Sequence, residues 1–330
     1  MLSLSLSIIL TQLYPPKSDF TDKVLPSLHG KVHIVTGSNT GVGKELARIL
    51  YSKHAKVYVA ARSEDKANKA IEAIKKTTPE SAGELIFLYL DLIDLTTIKA
   101  SAENLLSKEN KLHVLFNNAG VMGPPQGSKT AQGYELQLGV NNIGTFMFTK
   151  LLTPILVSTA KVEPPNTVRV IWLSSSATEF FSPKSASVPL DNLDYHNDKS
   201  ATYKYAISKA GNYLHAVEFS KRYKTNGVIS ISLNPGNLRS ELTRHQGALL
   251  KMLLKYLFQY PPIFGAYTEL FAGLSPKVTI EKSGDWVVPW GRFMAIRKDL
   301  VDATKIEEEG GTGVGLKFWE WTEEQIKPYA

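Results

Sequence analysis

The sequence predicts an α/β fold in which a single doubly wound, seven-stranded parallel sheet carries helices on both faces. Three observations lead there. Short Val/Ile-rich runs alternate with longer segments of helical period from Lys31 onward. The first run leads into a glycine-rich turn that opens a helical segment, as a βαβ unit requires. A 43% apolar composition over 330 residues is ample for one large core, and no Gly/Ser linker, repeat or long charge block marks a second domain.

Taken in order, the chain begins with MLSLSLSIIL, an apolar stretch without a preceding Lys or Arg that ends by Tyr14-Pro15-Pro16, too short to span a bilayer. Residues 1–30 read as an arm, a strand or turn packed on the domain; peripheral membrane attachment and cleaved targeting are the alternatives. The strands expected next are Val32 to Thr36, Lys56 to Ala60, Leu85 to Leu90, His113 to Phe116, Val168 to Leu173, Val228 to Leu233 and Trp286 to Val288. Residues 31–291 form the domain, and 292–330 a helical tail packed on it. Two inserts, Thr178 to Thr202 and Asn237 to Pro262, follow strand C-terminal ends, where open α/β sheets bind ligands.

Composition narrows the chemistry. With no cysteine there is no disulfide, thiolate metal site or cysteine nucleophile, which fits a reducing, cytoplasmic setting. The formal charge of +7 comes from Lys and Arg interleaved with Asp and Glu, so a basic enzyme drawing a phosphorylated cofactor is favoured over a nucleic-acid binder. His29 and His33 are four apart, but His33 begins a strand, so no metal pair is expected. A G-x-S-x-G elbow for serine hydrolysis is absent.

Thr36-Gly37-Ser38-Asn39-Thr40-Gly41-Val42-Gly43 lets the backbone approach a pyrophosphate at a helix N-terminus, or is a plain strand-to-helix turn. It is no phosphate-binding Walker loop, because Glu45 stands where the magnesium-binding Ser or Thr would be. After the second strand, Ala60-Ala61-Arg62 offers no acid for the ribose hydroxyls, and the Arg62 guanidinium suits a 2′-phosphate; a solvated loop arginine is the bland reading. Asp91 is placed to meet an adenine amino group or to cap a helix. Asn117-Asn118-Ala119-Gly120 is a small polar turn after the fourth strand.

Tyr205 and Lys209, four apart in a helical segment, share a face, where an ammonium would lower the phenol pKa towards neutrality and suit it to general acid or base work. A second Y-x-x-x-K, Tyr195 and Lys199, lies among turn-forming Asp194, Asn197 and Asp198, so its side chains need not face the same way. Ser174-Ser175-Ser176 ends the fifth strand with hydroxyls, one of which could polarise a carbonyl; a polar strand end is the alternative.

In order along Lys31 to Gly291, these motifs, with Asn234-Pro235-Gly236, resemble the short-chain dehydrogenase/reductase family, particularly its retinol-dehydrogenase-like and WW-domain-oxidoreductase-like branch, although no WW domain is present. The resemblance implies a Rossmann-like fold, NADP(H) as cofactor and oxidoreductase activity. It assigns catalysis to Asn141, Ser175, Tyr205 and Lys209: the tyrosine exchanges a proton with the substrate oxygen, the lysine holds the nicotinamide ribose and lowers the tyrosine pKa, the serine bonds the substrate oxygen, and Asn141, not Asn142, anchors a water in a proton relay. It assigns cofactor binding to Gly37, Ser38, Asn39, Gly41, Val42, Gly43, Arg62, Asp91, Leu92, Asn118, Ala119, Gly120, Pro235 and Gly236, with Leu238 and Ser240 near the carboxamide. Two departures stand out: Ser240 replaces the usual threonine, and Thr40 stands where many NADP-preferring members have a basic residue. The tail around Phe318-Trp319-Glu320-Trp321 is similar to those of fungal members.

The run Leu249 to Phe258 reads as an apolar lid over the substrate, pointing to a hydrophobic ketone, aldehyde or alcohol such as a retinoid, steroid or polyketide-like product of secondary metabolism; a core, oligomer-contact or membrane-facing helix are the other readings. A lyase or epimerase on the same fold, and a non-catalytic NADPH-binding sensor or scaffold, are the alternative functions. A homo-oligomer is left open by the sequence.

Overall fold

In the computed structural model, which describes residues 6–184, 187–239 and 259–330, the β-branched and aromatic runs form strands β1 (Val32–Thr36), β2 (Lys56–Ala61), β3 (Glu84–Tyr89), β4 (Val114–Asn117), β5 (Arg169–Leu173), β6 (Ile229–Leu233), β7 (Trp286–Val288) and β8 (Arg292–Phe293). β1, β4, β5 and β6 are buried along their whole length, as strands covered on both faces must be, whereas the outer strand β3 exposes both its ends. The order across the sheet is β3-β2-β1-β4-β5-β6-β7-β8. All neighbours are parallel except β7 and β8.

The sheet therefore has eight strands, not the seven expected, and is not wholly parallel. Gly291, at a φ of +84°, turns the chain back so that Arg292 and Phe293 pair antiparallel with Val288 and Val287. A two-residue strand carries no periodicity that could be read in sequence. The sheet thus reaches past residue 291 into what the sequence assigns to the tail. The arm also differs: its first described segment is helix α1 (Leu6–Leu13), not a strand or turn.

Helices α2 (Gly41–Ser52) and α3 (Glu64–Thr77) cover one face. α4 (Leu95–Leu106) and α5 (Leu136–Ala160) cover the other, joined by α7 (Ala201–Tyr223) after the short α6 (Ala177–Phe180). α8 (Pro262–Leu274) returns to the α2 side, and α9 (Lys298–Thr304) and α10 (Val314–Ile326) complete the described chain. Local signals set the helix starts: Ser63, Asp94 and Ser200 each accept a backbone N–H of the first turn. α5 is long and apolar enough to cross a membrane, but here it is a core helix. α10 lies against α7 and α5, with Trp319 edge-on to Phe146 at 4.6 Å and the Arg222 guanidinium 4.3 Å above the indole.

The chain leaves β1 towards β2 on one side while β4 lies on the other. This reversal opens a crevice at the C-terminal ends of β1 and β4, the position where such sheets hold ligands.

Candidate active site

The glycine turn builds the floor of the crevice. Gly37 and Gly41 have φ values of +66° and +58°, a left-handed conformation that disfavours any side chain. A Cβ on Gly37 would come within 3.0 Å of the Ala119 Cα, and one on Gly43 within 2.5 Å of Asn118 Nδ2. The two turns are stitched together: Asn118 Nδ2 donates to the Thr36 carbonyl at 2.7 Å, and the Ala119 N–H donates to Thr36 Oγ1 at 2.9 Å. Thr40 caps α2 without a side-chain hydrogen bond, leaving first-turn amides free for an anion. Ser38, by contrast, is fully buried with its hydroxyl turned back to the Val35 carbonyl at 2.7 Å, so only its backbone faces the crevice.

At the adenosine end, Arg62 is exposed and forms no ion pair with a described residue. The Asp91 carboxylate accepts the Ile93 N–H, at 3.0 Å, and Asp94, not Asp91, caps α4. Leu92 is buried against α5, its carbonyl 2.7 Å from where a Cβ on Gly144 would sit. These groups and the glycine cradle fit a dinucleotide cofactor.

Four side chains converge beside the ends of β4 and β5. α7 carries Tyr205 and Lys209 on one face, with Lys209 Nζ 5.8 Å from the tyrosine ring centroid. The ammonium donates to the Leu173 carbonyl at 2.9 Å, which also accepts Asn212 Nδ2 at 2.7 Å. Asn141 sits in the wide-turned stretch Gly139–Gly144 of α5; its Oδ1 accepts the Val121 N–H at 2.8 Å, and its Nδ2 donates to the Val121 carbonyl and to Ser208 Oγ. A Cβ on Gly120 would lie 3.1 Å from Asn141 Oδ1 and 3.2 Å from Lys209 Nζ, so a side chain there would press on both. Asn142 instead ties α5 to α7 through the Ser208 carbonyl and Asn212.

The three serines divide. Ser174 is buried and donates to the Lys209 carbonyl at 2.6 Å, Ser176 precedes α6, and the Ser175 hydroxyl lies near enough to the Tyr205 phenol to lower its pKa. Burial pushes the Tyr205 phenol up to about 12, with Ser175 pulling the other way. The expected downward pull of Lys209 is absent, since its own ammonium is disfavoured by burial, down to about 8, and is directed at Leu173. A group the sequence reading missed pulls Lys209 back up: Glu269 of α8, completely buried with neither carboxylate oxygen hydrogen-bonded. Its signal was a single acid in the apolar run Pro262 to Leu274.

The second pair is not assembled: Tyr195 is buried in a loop at a φ of +54°, under Lys204, while Lys199 is exposed. After β6, Asn234 Oδ1 accepts the Gly236 N–H at 3.0 Å, holding Pro235-Gly236 over the crevice edge. Gly236, at a φ of +97°, has room only for hydrogen, since a Cβ would approach the Trp290 ring to 2.6 Å. The Leu238 side chain packs towards Gly265 of α8. Ser240 and the Leu249 to Phe258 run lie outside the described residues.

Comparison with known proteins agrees with this geometry. The short chain dehydrogenase family profile matches residues 31–186. A short-chain dehydrogenase/reductase of Phomopsis amygdali is 55% identical over 322 residues, 96% of each chain. The short-chain dehydrogenase/reductase bet4 of Neocamarosporium betae is 47% identical over 98% of this chain and 94% of its own. An uncharacterised protein from Mycobacterium paratuberculosis superposes with a TM-score of 0.67 at 25% identity, over 94% of this chain and 98% of its own. A Pseudomonas aeruginosa RhlG/NADP complex shares the fold, with a TM-score of 0.62 at 22% identity over 79% and 95% of the two chains. With the glycine turn under the crevice and full-length relatives at this identity, the chain belongs to the short-chain dehydrogenase/reductase family and is an oxidoreductase of Rossmann-like fold.

Proposed function

We propose that the chain transfers hydride between NADP(H) and a hydrophobic ketone, aldehyde or alcohol, with Tyr205 as general acid and base. The observation that carries this reading is the convergence of Tyr205, Ser175, Lys209 and Asn141 beside the glycine cradle. When bound, the dinucleotide supplies or accepts the hydride. Tyr205, with its pKa near 12, holds its proton at neutral pH and is ready to donate it to a substrate oxygen as charge develops there. Ser175, beside the phenol, orients that oxygen. Lys209 is charged below about pH 8 and neutral above it, and its ammonium is fixed by the Leu173 carbonyl. Directed there, it braces the end of β5 rather than lowering the phenol pKa. Asn141 holds the Val121 backbone and Ser208, which fixes the wall past which a proton returns to water.

Arg62, exposed and without an ion pair to a described residue, supports NADP over NAD. The Pseudomonas neighbour is named for its NADP complex, which favours the same cofactor here. The retinol-dehydrogenase-like branch, a role in secondary metabolism and a cytoplasmic location belong to this reading as well, the last in keeping with a chain without cysteine.

The test is NADPH and NADH oxidation by wild type and Tyr205→Phe against a panel of hydrophobic aldehydes and ketones. Turnover with NADPH should fall by about 10²- to 10⁴-fold in the variant with cofactor binding retained. Equal turnover in both proteins would overturn the role of Tyr205. Turnover without net absorbance change at 340 nm would point instead to a lyase or epimerase.

A further inference from the structure

We propose that Gln12, in the arm that precedes the family match, is a positioning residue of the active site: its carboxamide ties the loop bearing Ser175 to the loop bearing Pro235-Gly236. The effect on turnover rests on the oxidoreductase reading above; the link between the loops does not.

Gln12 is 3% exposed. Its Nε2 donates to Glu179 Oε2 at 2.9 Å, and its Oε1 accepts Asn234 Nδ2 at 3.0 Å. Each partner is anchored in the loop that matters. Glu179 lies in α6, directly after Ser175, where the Ala177 N–H donates to Ser175 Oγ and the Thr178 N–H to the Ser175 carbonyl. Asn234 holds the Gly236 N–H through its other amide atom. A continuous line of side-chain bonds thus runs from the turn after β5 to the turn after β6, through one residue of α1.

A carboxamide serves both ends at neutral pH, whereas an ammonium lacks an acceptor and a carboxylate lacks a donor. Glu179 is 2% exposed and burial raises its pKa, so a donor facing it is needed. On its far side the Arg297 guanidinium binds the Glu179 carbonyl at 2.7 Å and Ser182 Oγ at 3.0 Å, holding the same loop.

The helix that presents Gln12 is fixed in turn. An eight-residue helix is too short to persist by itself, so its contacts set its place. Arg292 of β8 donates to Thr11 Oγ1 and to the Thr11 carbonyl, both at 2.7 Å, Tyr260 Oη donates to the Leu13 carbonyl at 3.3 Å, and Ser18 Oγ donates to the Trp290 carbonyl at 3.2 Å. All of these partners border the substrate edge of the sheet. The extra strand β8 therefore has a use: it carries the arginine that docks α1.

The experiment compares full-length wild type, Gln12→Ala and Gln12→Glu. Amide hydrogen exchange is followed in peptides covering residues 175–182 and 234–239, alongside kcat and NADPH affinity. In Gln12→Ala, exchange should accelerate about tenfold in both loops, with the central strands unchanged. kcat should fall about tenfold with NADPH affinity within about twofold of wild type, since small misplacements of reacting groups act on rate. Gln12→Glu supplies the diagnostic pH profile: once protonated, its O–H donates to Glu179 and its carbonyl oxygen accepts Asn234, restoring both roles. Its kcat relative to wild type should rise between about pH 8 and about pH 5.5, while that of Gln12→Ala stays flat. The charged and titratable groups facing this pair are Arg292, Arg297 and Tyr213.

Unchanged exchange in the two loops would overturn the link. Exchange raised throughout the sheet, or equal kcat loss in both variants at every pH, would reduce Gln12 to a general stabiliser and overturn the positioning role. A wild type that binds NADPH but turns nothing over would count against the oxidoreductase reading, and loop exchange would still decide the link.

Discussion

Gly43→Ala is the sharpest test of how the cofactor crevice is built. The new methyl would stand 2.5 Å from Asn118 Nδ2, 3.0 Å from Ser38 Cα and 3.1 Å from the Gly37 carbonyl oxygen, where ordinary contact begins at 3.4 Å. The two backbone neighbours cannot yield, so the Asn118 amide must retreat by about 0.9 Å, the shortfall from that contact distance. At that displacement its 2.7 Å bond to the Thr36 carbonyl is lost. Losing the bond and stranding buried polar atoms costs about 1–3 kcal/mol, against about 1 kcal/mol gained from replacing a helical glycine. The net is about 0–2 kcal/mol, a Tm lowered by no more than about 3 °C for a chain of this size. Because the shift falls on the turn cradling a pyrophosphate, NADPH Kd should rise about 10- to 100-fold, or about 1.4–2.7 kcal/mol. Thermal unfolding and fluorescence titration with NADPH measure both. Adding Asn118→Ala empties the space the methyl needs, so the double variant should lose less than the sum of the singles by about 1 kcal/mol. Wild-type Tm and Kd in Gly43→Ala, or strict additivity in the cycle, would refute the reasoning.

Three other outcomes follow from the same geometry. Glu269 has a folded-state pKa well above its ordinary 4.5, so the unfolded chain releases that proton first and the burial penalty grows as pH rises beyond about 4.5; Glu269→Gln should therefore raise Tm more at about pH 8 than at about pH 5, and removing the upward pull on Lys209 should shift the alkaline limb of any pH–rate profile downward. Arg62→Ala should raise KM for NADPH about tenfold with KM for NADH unchanged, as steady-state kinetics with the two cofactors would reveal. Trp319→Ala, removing a fully packed indole between Phe146 and the Arg222 guanidinium, should cost about 3–5 kcal/mol in urea unfolding.

The fold was legible in the sequence wherever periodicity and turn chemistry act locally. Buried parallel strands must be continuous β-branched runs, which is why β1, β2, β5 and β6 could be placed within a residue or two. Positive-φ turns require glycine, which made Gly37 and Gly41 stand out. The spacing of Tyr205 and Lys209 set their common helical face. β8 was hidden because two residues have no period, and α1 because an eight-residue helix gains its stability from docking rather than from its own sequence.

By itself the sequence determined the alternation of strands and helices, the glycine turn and the residues that face one another within a helix, because these depend on neighbours a few positions away. Only the tertiary structure decided which groups meet across the sheet. It turned Ser38 inward, left Arg62 without an ion pair among the described residues, directed Lys209 at Leu173 rather than at the phenol, and set Glu269 within electrostatic reach of that lysine. It also brought Gln12 to Asn234, 222 positions away in the chain. Burial and long-range hydrogen bonding fix the protonation state and the orientation of each group, and both are properties of the packed interior that no local pattern encodes.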